Sequence, residues 1–287
     1  MWILLALGSA AIIGFYEVLK KHALDNNAVI PVLYIATLTG STIFLLANFF
    51  HHPPHHLSIS FNDHLLVLIK ALLVTAAWIL GFLGLKHLPI SIAAPLSAVG
   101  PFFTLCGAIF LLNEHLTIFQ LTGCIIMIMS VFLFSNTAQK EGISIFRSKW
   151  VLALLISALL GAISSLYDKY LVPRLGPDQV QFWFTFYLPV VMTPFMFILW
   201  YPSRKVDRYV WRWSVPIIGI FLVIADYLYF HAIVEKDALI AVIDALRRSN
   251  LVIAFLVGGI LFGEMNIRKK GVAICGVLTG VILIIIS

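Results

Sequence analysis

Long apolar runs alternate with short polar breaks along this chain, and each run is about one membrane crossing in length. Ten runs can be read, at about 2–21, 29–50, 65–86, 90–113, 117–136, 150–170, 179–200, 213–233, 238–262 and 268–286. A helix needs about 20 apolar residues to cross about 30 Å of hydrocarbon, so each run predicts one spanning helix. The runs are continuous rather than alternating, which excludes an outer-membrane barrel. Turn-forming residues fall in the breaks: His52-Pro53-Pro54, Pro89, Pro173 with Gly176-Pro177, and Pro202-Ser203. One break, 136–149, is longer, polar and charged, and lies near the middle of the chain. It divides the sequence into 1–136, a linker at 137–149, and 150–287, with five predicted helices on either side.

The two parts resemble each other. At an offset of 150, residues 95–114 lie ungapped over 245–264, matching Leu96 to Leu246, Leu111 to Leu261 and Glu114 to Glu264. Each of those glutamates precedes another apolar run that opens near a glycine, Gly123 or Gly271. An acid after tyrosine sits early in each part, at Tyr16-Glu17 and Tyr167-Asp168. Five helices is an odd number, so two such repeats sit inverted across the bilayer. The expected fold is therefore an all-α integral membrane protein of ten transmembrane helices, arranged as two inverted five-helix repeats, a plan typical of secondary transporters.

Composition agrees: 61% of the 287 residues are hydrophobic and only 11% charged, against about 25% charged in soluble domains. Cys106, Cys124 and Cys275 lie within apolar runs without paired spacing and read as small buried hydrophobes. Met1–Leu7 has no basic stretch, and Glu17 and Lys20 interrupt the first run, which reads as a retained span rather than a signal peptide.

The informative residues are the charges that should not be there. Run nine carries Asp244, Arg247 and Arg248 near its middle. Each costs roughly 2.5–3.5 kcal/mol at the centre of a lone bilayer helix, so by default such charges mark a route or site for something polar. Asp244 is three and four residues from the arginines, so one turn of helix can pair it with either. The second arginine then needs Asp226, Glu17, Asp168, or an anionic group on a ligand, for which the planar guanidinium is suited. Ser249 and Asn250 continue the polar stretch. Asp226 and Tyr229 share a face of run eight, where the aspartate either serves an arginine or carries a proton. Trp78, midway along run three, can stack on a ring-bearing ligand or simply pack. The candidate substrate-binding set is thus Glu17, Trp78, Asp168, Asp226, Tyr229, Asp244, Arg247, Arg248, Ser249 and Asn250. An internal ion-pair network that only holds helices together is the competing reading. Lys70 is read as snorkelling from its span to the headgroups. Glu114 and Glu264, beside short turns, are read as bonding turn amides or a helix terminus. Pro95, Gly100 and Pro101 predict a run-four helix broken at membrane depth, and Trp2, Trp150, Trp200, Trp211 and Trp213 read as interfacial. The His51-His52-Pro53-Pro54-His55-His56 loop lacks metal-site spacing and reads as solvated.

Two five-span parts, each with a fourth span ending in Glu before a short turn, resemble the EamA-type ten-helix members of the drug/metabolite transporter superfamily. The segments that carry this are Leu112-Asn113-Glu114-His115-Leu116-Thr117 with Gln120 and Gly123, the Gly84-to-Ala93 stretch, and Phe262-Gly263-Glu264. The second part departs by spacing Glu264 and Gly271 two residues closer than Glu114 and Gly123. The resemblance implies transport of amino acids, nucleotide sugars, other metabolites or drugs, through a cavity lined by spans one, three, four, six, eight and nine.

The expected function is a secondary transporter, not an enzyme, moving a small polar metabolite (amino-acid-like, carboxylate or zwitterion) by alternating access. The alternatives are a phosphorylated, nucleotide-type or lipid-linked substrate, or a membrane-embedded lipid-modifying enzyme. There is no GxxxxGK[ST] loop for ATP, and no cofactor, metal or nucleic acid is implied. A small-molecule substrate, membrane lipids, a coupling ion (proton or sodium) and a homodimer are the partners to consider. The expected location is a bacterial cytoplasmic (inner) membrane. Thirteen Lys and Arg fall beside the breaks after runs one, three, five, seven and nine, against three on the other side. The positive-inside rule then puts both termini outside, whereas the family resemblance implies termini inside.

Overall fold

In a computed structural model the described residues are 1–51, 58–87, 99–136, 148–250, 252–253, 257 and 267–286. They fold into ten α-helices: α1 Trp2–Leu24, α2 Val29–His51, α3 Phe61–His87, α4 Gly100–Leu111, α5 Ile118–Asn136, α6 Lys149–Leu175, α7 Pro177–Phe195, α8 Ser214–Val234, α9 Ile240–Arg247 and α10 Ile267–Ile285. No strand occurs among the described residues. Hydrocarbon offers a backbone no hydrogen-bond partner, so a helix is the form in which these apolar runs satisfy themselves. Six helices are long and apolar enough to cross a membrane, namely α1, α2, α3, α6, α7 with its continuation, and α8; the described parts of α4, α5 and α10 give shorter apolar helices. The histidine loop at 52–57, Pro95, most of the central linker and Glu264 lie outside the described residues.

Helix ends follow local chemistry. Pro173 removes an amide donor in the last turn of α6, and Gly176 stops the helix at φ 94, a left-handed value that glycine alone adopts freely. Pro177 then opens α7, where a missing N–H costs nothing. Likewise Pro101 lies in the first turn of α4. It opens the described helix, and the part of run four before residue 99, 90–98, lies outside the described residues.

The packing is that of two exchangeable halves. Helix α1 packs on α8 and α6 on α3; α2 packs on α8 and α7 on α3; α4 packs on α6 and α9 on α1. The remaining main contacts, α2 with α7, α4 with α9 and α5 with α10, pair equivalent helices. Replacing each helix by its counterpart in the other half maps this set onto itself. Two hydrogen bonds repeat the relation at atomic scale. The Ser9 hydroxyl donates to the Ala225 carbonyl at 2.8 Å, and the Ser157 hydroxyl donates to the Ala77 carbonyl at 2.6 Å. Both Ser9 to Ser157 and Ala77 to Ala225 are steps of 148 residues. The register of α1 on α6 and of α3 on α8 is thus 148, not the 151 that matches Glu17 to Asp168.

Helices α2 and α8 cross closely, backbone against backbone. A Cβ on Gly219 would collide with the Ala36 carbonyl oxygen, and one on Gly40 with the Gly219 carbonyl. Gly219→Ala should lower the melting temperature of the purified protein, as overpacking costs typically about 1–3 kcal/mol. Gly161→Ala, where an added Cβ meets nothing within 4 Å, should leave it unchanged.

Candidate functional site

Helices α1, α3, α4, α6, α7, α8 and α9 line a cavity of about 390 Å³ where the two halves meet, α7 through Phe184, within the ~300–1,000 Å³ typical of small-molecule sites. Eight of the ten sequence candidates line it: Glu17, Trp78, Asp168, Asp226, Tyr229, Asp244, Arg247 and Arg248. Ser249 and Asn250 do not; Ser249 sits in the turn that ends α9, its amide bonding the Leu246 carbonyl at 3.0 Å, and Asn250 is helical again just after it. Helical i+4 bonding switches to i+3 there, the Arg248 amide bonding Ala245 at 2.9 Å. The ninth helix therefore turns at the arginine pair without any proline to force it.

The intrahelical pairing that spacing allowed to Asp244 is not the one adopted. Asp244 accepts hydrogen bonds from the Thr104 hydroxyl at 2.6 Å and the Ser165 hydroxyl at 3.3 Å. Arg247 instead meets Asp226 of α8 at 3.4 Å and lies 4.2 Å from the Tyr229 ring centroid. A cation over an aromatic face gains about 0.5–2 kcal/mol when desolvated. Arg248 makes no ion pair with a described residue, and its Nε is buried without a hydrogen bond. Gly100 lies beside it, where a Cβ would make ordinary van der Waals contact, 3.5 Å, with an Arg248 guanidinium nitrogen.

At the deep end, Lys70 of α3 pairs with Asp168 of α6 at 2.5 Å, both side chains only 3% exposed. Tyr229 donates its hydroxyl to the other Asp168 oxygen at 3.2 Å. The Lys70 ammonium also stands 4.5 Å from the Phe184 ring centroid and 5.0 Å from that of Phe230. Sequence reasoning missed this residue, and the cause is geometric. Helix α3 begins at Phe61 rather than at 65, so Lys70 is nine residues along, about 13 Å at 1.5 Å per residue, too far to snorkel. Nearer the end of α1, Glu17 and Lys20 pair at 2.7 Å with side chains 37% and 18% exposed. Lys20, too, lines the cavity rather than a loop. Trp2, expected at the interface, is buried in the core.

In the turn after α4, Glu114 caps a neighbour. Its two carboxylate oxygens accept the first amides of α9, Ile240 at 2.8 Å and Ala241 at 3.3 Å. This holds the helix that carries Asp244, Arg247 and Arg248. Among the described residues no cluster of His, Cys, Asp and Glu could hold a metal.

A family model described as the EamA-like transporter family matches residues 1–136 and 148–286. The chain belongs to that family. As an EamA-like transporter with long apolar helices it is an integral, multi-pass membrane protein. A solved structure, described only as the crystal structure of a protein, matches with a TM-score of 0.79 at 16% identity, over 98% of this chain and 97% of its own. At that identity the likeness shows the fold alone. No curated protein matches the chain significantly in sequence.

Glu114→Ala should free two amides at the start of α9 and cost about 0.5–2 kcal/mol, the range for loss of an N-terminal cap. A lowered melting temperature would be the readout, with Glu114→Gln recovering part of the loss because one acceptor oxygen remains.

Proposed function

We propose that this EamA-like transporter is a secondary carrier for a small zwitterionic or carboxylate metabolite of amino-acid type, with its site in the cavity between the halves. Arg248 carries this reading: a half-buried guanidinium at the turn of α9, its Nε buried without a hydrogen bond and unpaired by any described carboxylate, is the group best suited to a cargo carboxylate. Arg247, already held by Asp226, then positions rather than binds. Asp244 and Glu17 supply acceptors for the cargo's other end, and Trp78 supplies an apolar face.

The charge balance favours this cargo over a phosphorylated one. The lining contains Lys20, Lys70, Arg247 and Arg248 against Glu17, Asp168, Asp226 and Asp244. A doubly charged phosphate would enter a cavity with no surplus of positive charge, whereas a zwitterion or singly charged acid adds little imbalance. Uncompensated charge is expensive at this depth. Alternating access would come from rocking residues 1–136 against 150–287 as inverted repeats in a bacterial cytoplasmic membrane. The exchange symmetry of the helix contacts supports that motion, since a site between like halves can open by equivalent movements to either side.

Uptake of labelled amino acids and carboxylates into proteoliposomes tests the reading. Arg248→Ala should abolish uptake at near-normal expression, and Arg248→Lys should restore only part, because a lysine lacks the bidentate fork. Unchanged uptake in Arg248→Ala would move the site elsewhere.

A further inference from the structure

The deep end of the cavity has the composition of an ammonium receptor, yet the ammonium in it belongs to the chain itself. Asp168 supplies a carboxylate, 3% exposed, one oxygen of which meets Lys70 at 2.5 Å. Its other oxygen is steadied by the Tyr229 hydroxyl at 3.2 Å. Phe184 and Phe230 put their rings 4.5 and 5.0 Å from the same nitrogen. An anion joined to aromatic faces is the arrangement that recognises a desolvated alkylammonium. All five residues line the cavity, so the cage faces the space where cargo would lie instead of being sealed in the packing.

We propose that Asp168, Phe184, Tyr229 and Phe230 form a recognition cage for a primary ammonium group, filled by Lys70 in the empty carrier and taken over by a cationic nitrogen of the cargo. The proposal rests on the carrier reading and narrows it, because a cargo with an ammonium is required and a plain carboxylate is not enough. Lys70 keeps the Asp168 charge compensated while the cavity is empty. When cargo arrives, the ammonium can withdraw along its four-carbon stem without leaving a bare carboxylate behind.

Methylammonium is the probe, read by thermal shift on the full-length purified chain. Lys70→Ala should be stabilised saturably by methylammonium and not by equal sodium chloride, and the effect should vanish in Lys70→Ala/Asp168→Asn. The wild type, its cage full, should show no shift. A variant that responds to sodium equally, that ignores methylammonium, or that cannot be recovered even when prepared with it, overturns the cage. So does an equal shift in the wild type. For the cargo, a mixture of amino acids should stabilise the wild type, whereas a matched mixture of 2-hydroxy acids should not; the hydroxy acids stabilising as well, or neither mixture doing so, overturns the takeover. Methylammonium binding does not depend on transport. If the cage holds while no solute moves, the carrier reading alone fails; if uptake is lost only with Arg248 and the cage test fails, this proposal alone fails.

Discussion

Eight charged side chains line a cavity inside a bundle built almost entirely of apolar helices, and each is costly to leave without compensation. Isolated, each would cost several kilocalories per mole. Three pairs meet this demand directly: Glu17 with Lys20, Lys70 with Asp168, and Arg247 with Asp226. Asp244 meets it through the Thr104 and Ser165 hydroxyls. Two of these pairs, and both hydroxyl bonds, join different helices, so electrostatics and helix packing are one constraint. Helices α3 and α6 cannot separate at the Lys70 level without stranding a charge, and α8 and α9 are bound in the same way at Asp226.

That constraint also explains why the pairing could not be read locally. A helix places i+3 and i+4 residues side by side, which made an Asp244 pairing with Arg247 or Arg248 reasonable. Side chains on neighbouring helices compete on equal terms once packed, and the nearest donor to Asp244 came from a threonine 140 residues away. Which residues gather was legible, because a charge inside an apolar run has few places to go. Their partners were not, because partner choice depends on how the helices cross.

Other differences come down to helix ends and register. Span limits drawn from hydropathy start α3 four residues late, since Phe61-Asn62-Asp63-His64 is polar enough to look like a loop yet continues the helix. Lys70 consequently passed for an interfacial residue. Apolar sequences align at several offsets with similar merit, so the tyrosine–acid pairs at Glu17 and Asp168 looked equivalent at a step of 151, while hydrogen bonds from Ser9 and Ser157 point to 148 for the helices concerned. The family and the all-helical, ten-helix character were within reach of the sequence, because they depend on run length and order and not on register.

The corrected register changes how the cavity is understood. At a step of 148, Lys20 is equivalent to Asp168, Glu17 to Ser165, and Trp78 to Asp226. Equivalent positions on like helices thus carry a base in one half and an acid in the other, or an aromatic ring against a carboxylate. The scaffold repeats and its lining does not. A cavity with symmetric walls would have no preferred orientation for its contents. Over its described lining this one is neutral in sum, and its polarity lies between Arg248, which no described carboxylate pairs, and Asp168, whose ammonium partner Lys70 comes from the chain itself. On the proposed reading that polarity is the selective feature: a cargo with separated positive and negative ends can align with it, and a compact dianion or an apolar molecule cannot.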